Sequence, residues 1–448
     1  MLQRGLEAVL RQFTAADERG ADNTKNKVSV ECLQARSSEV RNCESTTDTA
    51  EKKSKAHHEE ESRYDEEFVR DILSRDPVPI DELRGLSRSG CPAGFRYEVW
   101  CYLTGHLQPS SLNRAAVLAR KRQEYVGYMQ SSYGSTDWDA AFAAVGDSVG
   151  NAPGGESGSG GSSLWPSFRS GASGFGSSSL NTPSDSELSI LKQIRKDIPR
   201  MAAGLAFLSN RRVMLSVERC LYVWALRHPA CGYVQGMDDF TIPFISVVLA
   251  NRVCRTKTVA DLYTLDPEEV GALLSVEVIS DEEWVSTIEA DTYWMVSYFL
   301  SAIQENFTYD QRGLHSMVEK LEAVVRAVNV KLYNHLRNDL QIDFKQFSFR
   351  WMNCLLLREL NATQVLRLWD AYLADEEKDW CTTHVYTCAA FLQWWSAALL
   401  QENDYCVAIK FLQNLPSNEL SDRDISAIVS QGIVMQKLYN SALAHLAQ

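Results

Sequence analysis

The chain has 448 residues, 45% of them apolar, enough for one large core or two ordinary ones. Its 45 Lys+Arg against 58 Asp+Glu give a formal charge of −13, which argues against general binding to nucleic acid or to an anionic membrane. The eleven cysteines are scattered from Cys32 to Cys406 without a C-x-x-C pair, a pattern of reduced thiols and not of a disulfide frame or zinc site.

From the N-terminus, MLQRGLEAVLRQF places Leu2, Leu6, Val9, Leu10 and Phe13 on one helical face. It reads either as a short helix packed on its own domain or as a dock for a partner or membrane. Neither a signal-peptide h-region nor a cleavage site precedes the polar tract that follows. Residues 14–62 bury too little apolar surface to offset the entropy of ordering, so 1–62 is expected to be mostly disordered. HHEEE at 57–61 lacks H-E-x-x-H spacing and reads as a solvated charge run. One helical domain is expected over 63–448, interrupted at about 134–186 by a Gly/Ser-rich disordered insertion that a surface loop tolerates. Leu164, Trp165, Phe168 and Phe175 within it read as chance hydrophobes or a docking motif.

The remaining pattern is helical. Apolar residues recur at three- and four-residue intervals in 212–227 and 284–304, and again over 347–360, 363–374, 384–401, 405–413 and 422–446. The stripe from Met317 to Leu336 could be a coiled-coil seam, but its breadth favours an ordinary core face. The predicted architecture is all-α, with no internal repeat. The longest apolar run, Ile242–Ala250, has about half the length a bilayer crossing requires. A soluble, cytoplasmic protein without a transmembrane segment is expected.

The usual catalytic kits are missing: no P-loop, H-E-x-x-H or kinase signature set occurs. Two punctuated stretches remain. In IRKDIPR (194–200), Pro199 disfavours helical geometry at Ile198 and suits the first turn of a following helix, so Arg200 would project from a tight connection. The bland alternative is that Asp197 and Arg200 pair and stitch a turn. In CGYVQGMDDF (231–240), Gly232 and Gly236 bracket Tyr233, Val234 and Gln235. Gln235 offers an amide able to hold a water by donor and acceptor together, or else it caps the next helix.

In this order and spacing the segments resemble the TBC-domain family of GTPase-activating proteins for Rab GTPases. IRKDIPR is similar to that family's I-x-x-D-x-x-R motif and YVQGM to its Y-x-Q-G motif. SGCPAGFRYEVWCYLTGHL (89–107), RKRQEY (120–125), IEADTYW (288–294), FSFRWMNCLLLREL (347–360) and VLRLWDAYLAD (365–375) resemble further blocks, so the likeness covers about 64–133 and 187–430. It is most like the subgroup associated with Golgi and early-secretory Rabs. Departures include Arg88 for a usual tryptophan, Cys91 for isoleucine, and Asp238 for a frequent asparagine.

The resemblance implies a fold of two helical subdomains and a catalytic activator of Rab GTPases in vesicle traffic. It implies that Arg200 and Gln235 enter the active site of a GTP-bound Rab in trans as paired fingers. Asp197, Tyr233 and Gly236 would support them. Arg96, Trp100, Arg350, Trp351, Trp369 and Asp370 fall on family blocks, where packing and ion pairs explain them at least as well. No cofactor or metal of its own is implied, since GTP and Mg²⁺ belong to the partner. A Golgi adaptor and peripheral endomembrane association are further implications of the subgroup. A TBC fold used only as a binding module is the competing reading, and a helical adaptor unrelated to GTPases a more distant one.

Overall fold

The computed structural model describes residues 66–134, 183–201, 205–253, 258–308 and 310–446. The N-terminal amphipathic stretch, the polar tract to residue 62 and the hydrophobes of the Gly/Ser tract lie outside these residues. Among the described residues all regular structure is helical, without strands, and no helix is long and apolar enough to cross a membrane.

Local chemistry sets many of the helix starts. Ser184 with Glu187, Thr258 with Asp261, Asp266 with Glu269 and Asn361 with Gln364 each form a reciprocal capping box. Each box satisfies backbone donors that the first helical turn leaves free. The first of them starts the helix Asp185–Asp197, at the edge of the tract expected at about 134–186. Arg211–Arg227 and Thr241–Arg252 follow; the second is buried along nearly its whole length. The expected 284–304 segment is a π-helical turn, Trp284–Glu289, running into the α-helix Ala290–Ala302.

The Met317–Leu336 stripe is a core face and not a long seam. Its helix, Arg312–Val328, stops at Asn329, whose φ of −142° and side-chain cap on Leu332 N–H restart the chain as Val330–Asn334. The expected helix over 347–360 also ends early, at Cys354. Leu355 and Leu356 both take positive φ, 46° and 61°, a conformation that side-chain sterics disfavour.

An N-terminal group of helices, through Ala290–Ala302, and a C-terminal group from Arg312 onward share one continuous core. Aromatic rings make the junction. Phe299 stacks on Trp369 with centroids 4.4 Å apart and on Trp380 at 4.9 Å, while Phe244 meets Trp369 at 5.3 Å and Trp100 at 5.5 Å. Buried carboxylates pin the same junction. Asp370 accepts from Arg96 Nε at 3.0 Å, Trp100 Nε1 at 2.8 Å and Cys91 N–H at 3.0 Å. Within the C-terminal group Arg350 grips Glu359 through two contacts of 2.7 Å, and Trp351 is fully buried. Arg96, Trp100, Arg350, Trp351, Trp369 and Asp370 are therefore framework residues.

Candidate functional site

The helix Asp185–Asp197 passes directly into a 3₁₀ turn, Ile198–Arg200, with Pro199 inside it. Ile198 keeps helical dihedrals (φ −48°, ψ −45°), so the expected break before the proline is not there. The tightening to 3₁₀ and the extended geometry of Met201 (φ −63°, ψ 118°) end the helix one step later. Met201 and Ile198 are buried, whereas Pro199 and Arg200 are exposed. The turn is thus anchored on both sides of an outward-facing arginine.

Asp197 does not pair with Arg200. Its Oδ2 accepts from Gln193 Nε2 at 2.8 Å and from the Tyr233 hydroxyl at 3.1 Å. Arg200 makes no hydrogen bond or ion pair among the described residues, unlike its neighbour Arg195, which is bound to Glu218.

The glutamine turn has its own frame. Met237 N–H donates to Val234 C=O at 3.1 Å, closing a four-residue turn with Gln235 at its corner and Gly236 third. Gly236 has φ 101°, the positive value that this position of a type II turn requires. Gln235 is exposed and does not cap the next helix, whose N-cap Phe240 has no side-chain cap. The turn is backed instead by Asp238, whose Oδ1 accepts from Gly236 N–H and from the Tyr233 hydroxyl, each at 3.1 Å. Burial, and then the charges of Asp238 and Asp197, push the Tyr233 phenol well above its ordinary pKa. It is a hydrogen-bond donor at every physiological pH.

Tyr233 therefore ties the two turns together, and both open onto one cleft of about 940 Å³. Asp197, Arg200, Gln235 and Gly236 line it. Ile242, Pro243 and Leu366 add apolar lining, and Arg358, Asn361 and Thr363 line the same cleft. Arg358 is held from Nε and Nη2 by Asp239 Oδ2 at 3.0 and 2.8 Å, with its side chain still 56% exposed. Sequence reasoning missed Arg358 as a cleft residue. Its placement depends on the left-handed Leu355–Leu356 pair, and neither leucine signals a turn.

The cleft thus presents a guanidinium and an amide that have no partner among the described residues, from two braced turns, together with a second, acid-tethered arginine. Such groups can neutralise developing anionic charge and orient a water, without performing covalent chemistry themselves. Among the described residues no cluster of three or more metal-ligating side chains occurs.

The family model of the Rab-GTPase-TBC domain matches residues 173–400, a span containing both turns and the whole cleft lining. The chain belongs to the Rab-GTPase-TBC domain family. Among its TBC relatives, the GTPase-activating protein gyp1 of Schizosaccharomyces pombe is 33% identical over 375 residues, covering 84% of this chain and 61% of that protein. TBC1 domain family member 22A of Mus musculus is 32% identical over 86% of this chain and 62% of its own length. The same member from Macaca fascicularis is 32% identical over 89% of this chain and 68% of its own length. The chain thus spans about three-fifths of the first two relatives. The crystal structure of the Ypt/Rab-GAP domain of Gyp1p superposes with a TM-score of 0.67 at 29% identity, covering 84% of this chain and 99% of that one.

Proposed function

We propose that this TBC domain is a GTPase-activating protein for a Rab-family small GTPase and supplies Arg200 and Gln235 to the partner's active site in trans. One observation carries the reading: the two side chains are exposed and, among the described residues, unpartnered, yet they stand on turns joined through Tyr233 at one cleft. A framework role would have given them partners.

The chemistry follows from their types. GTP hydrolysis spreads charge over the γ-phosphoryl oxygens and the leaving bridge oxygen; an arginine meets that charge with forked donors and stays protonated at any cellular pH. The in-line water needs orientation more than deprotonation, which suits the Gln235 amide. An arginine finger is worth on the order of 10³–10⁵ in rate, or roughly 4–7 kcal/mol of barrier. Asp197, Tyr233 and Gly236 hold the two turns. The nucleotide and its Mg²⁺ are carried by the GTPase, and this chain contributes no cofactor. Membrane traffic at the Golgi, with an adaptor for recruitment, is the setting the subgroup likeness supports.

Single-turnover GTP hydrolysis by a panel of purified Rabs is the test, with the wild type and the Arg200→Ala and Gln235→Ala variants. Stimulation of one or two Rabs that disappears in the arginine variant is expected. Rab binding without stimulation across the panel would replace this reading by a binding module.

A further inference from the structure

Tyr233 has one hydroxyl proton and two carboxylate neighbours. Its oxygen lies 3.1 Å from Asp197 Oδ2, at the end of the arginine-bearing helix, and 3.1 Å from Asp238 Oδ1, behind the glutamine turn. Both acids are buried, with exposures of 3% and 5%. Asp197 has little else to compensate its charge. Among the described residues its Oδ1 is buried without a donor, and Oδ2 has only Gln193 Nε2 besides the phenol. With both acids ionised, one proton serves two anions, and whichever loses it faces the lone pairs of the phenol oxygen.

A proton on Asp238 resolves the conflict. Asp238 then donates to Tyr233, Tyr233 donates to Asp197, and the chain of donors runs in one direction from the glutamine turn to the arginine turn. The charged and titratable groups around Asp238 are Asp197, Tyr233, the adjacent Asp239 with its partner Arg358, and Arg200 in the same cleft. Burial first, and then the charge of Asp239, push the Asp238 carboxyl up to about 6. Proton exchange at this site thus falls within the range that compartments of a cell span.

We propose that Asp238 is a positioning residue for GTP hydrolysis: protonated, it completes a donor chain through Tyr233 to Asp197 that holds the Gln235 turn against the Arg200 turn. The proposal rests on the GTPase-activating reading above. Asp238 touches neither nucleotide nor water in this scheme and acts only through the finger turns. Asparagine at this position removes the second anion permanently while retaining an acceptor for Gly236 N–H.

The experiment compares the wild type, Asp238→Asn and Tyr233→Phe in single-turnover hydrolysis with a responsive Rab, from about pH 5.5 to 7.5, at saturating and subsaturating activator. The ratio of two variants at one pH cancels the pH dependence of the GTPase itself. Asp238→Asn is expected to have a saturating rate roughly three- to tenfold above wild type near pH 7.5, with the gap closing near pH 5.5. The half-saturating concentration should stay within about twofold, since the chain orients fingers and does not form the interface. In a Tyr233→Phe background, Asp238→Asn should change nothing further, because the connecting hydroxyl is gone.

A second readout needs no GTPase. The Gly236 amide of ¹⁵N-labelled protein should move with a midpoint near pH 6 in the wild type and stay still in Asp238→Asn. A rate ratio independent of pH, an effect confined to half-saturation, or a Gly236 amide indifferent to pH would each overturn the role of Asp238. If the amide titrates but no Rab is stimulated by either protein at any pH, the assigned activity fails, and the positioning role fails with it while the proton chain stands.

Discussion

Arg200 stands on an exposed turn with no carboxylate bound to it among the described residues, whereas Arg96, Arg195, Arg219 and Arg350 are each fastened to an acid. Its replacement should therefore leave folding untouched and fall on catalysis alone. Arg200→Ala is expected to lower the stimulated single-turnover rate by on the order of 10³, with an unchanged circular dichroism spectrum and melting temperature. Arg200→Lys keeps the charge but loses the planar fork, so most of the loss should persist. Asp238 makes the opposite case, a residue whose replacement is felt in stability. Its carboxyl is raised in the fold, so the folded state binds the proton more tightly than the unfolded chain. Any stability linked to that proton is present at low pH and lost as pH rises through about 6. Asp238→Asn should consequently stabilise the protein by about 1–2 kcal/mol at neutral pH, with the gain shrinking as pH falls toward 4. Urea unfolding at several pH values checks the sign. A gain that grows on acidification would contradict it.

At the scale of single elements, the glutamine turn depends on one backbone angle. A Cβ at Gly236 would meet nothing within 4 Å, so the φ of 101° is the whole obstacle to a side chain there. Gly236→Ala is expected to cost about 1–3 kcal/mol in urea unfolding and to lower the stimulated rate by misdirecting Gln235. Gly85 also has open space around it but no positive φ, and it serves as the control. The Arg200 and Gln235 turns were marked in the sequence by proline and glycine, but only the likeness to the TBC motifs suggested a role for them. Their neighbours' behaviour was not legible. Ile198 stays helical before Pro199 because the chain tightens to 3₁₀ after it. The helix expected over 347–360 stops where two leucines adopt left-handed geometry, which apolar periodicity cannot announce. Arg358 was hidden for the same reason. The role of Asp238 needed the approach of Tyr233 to Asp197, 36 residues away in sequence. A motif read as a string holds no such distance.

Over the whole molecule, the helices Trp380–Trp394 and Asp422–Leu446 approach so closely that a Cβ at Gly432 would lie 2.9 Å from Thr387 Cα. Backbone cannot yield as a flexible side chain does. Gly432→Ala should cost about 1–3 kcal/mol by overpacking, a loss visible in urea unfolding and unaccompanied by any specific defect at the cleft. The all-α class and the coarse order of helices were readable from periodicity. The union of both groups through Asp370 was not, because a buried aspartate in VLRLWDAYLAD looks like any polar residue on a helix. Its donors, Cys91, Arg96 and Trp100, lie some 270 residues earlier.

That distance separates the part of the chain which can be recognised from the part which can stand alone. Residues 173–400 suffice to identify the family, yet a fragment cut to those limits would strip the fully buried Asp370 of Arg96, Trp100 and the Cys91 amide together. It would also bare the face of Trp380–Trp394 that packs on the last helix. Such a fragment should keep much of its far-ultraviolet helical signal, lose fixed aromatic packing and bind hydrophobic dyes. The Arg200 and Gln235 turns would survive as sequence, and neither would be held in place.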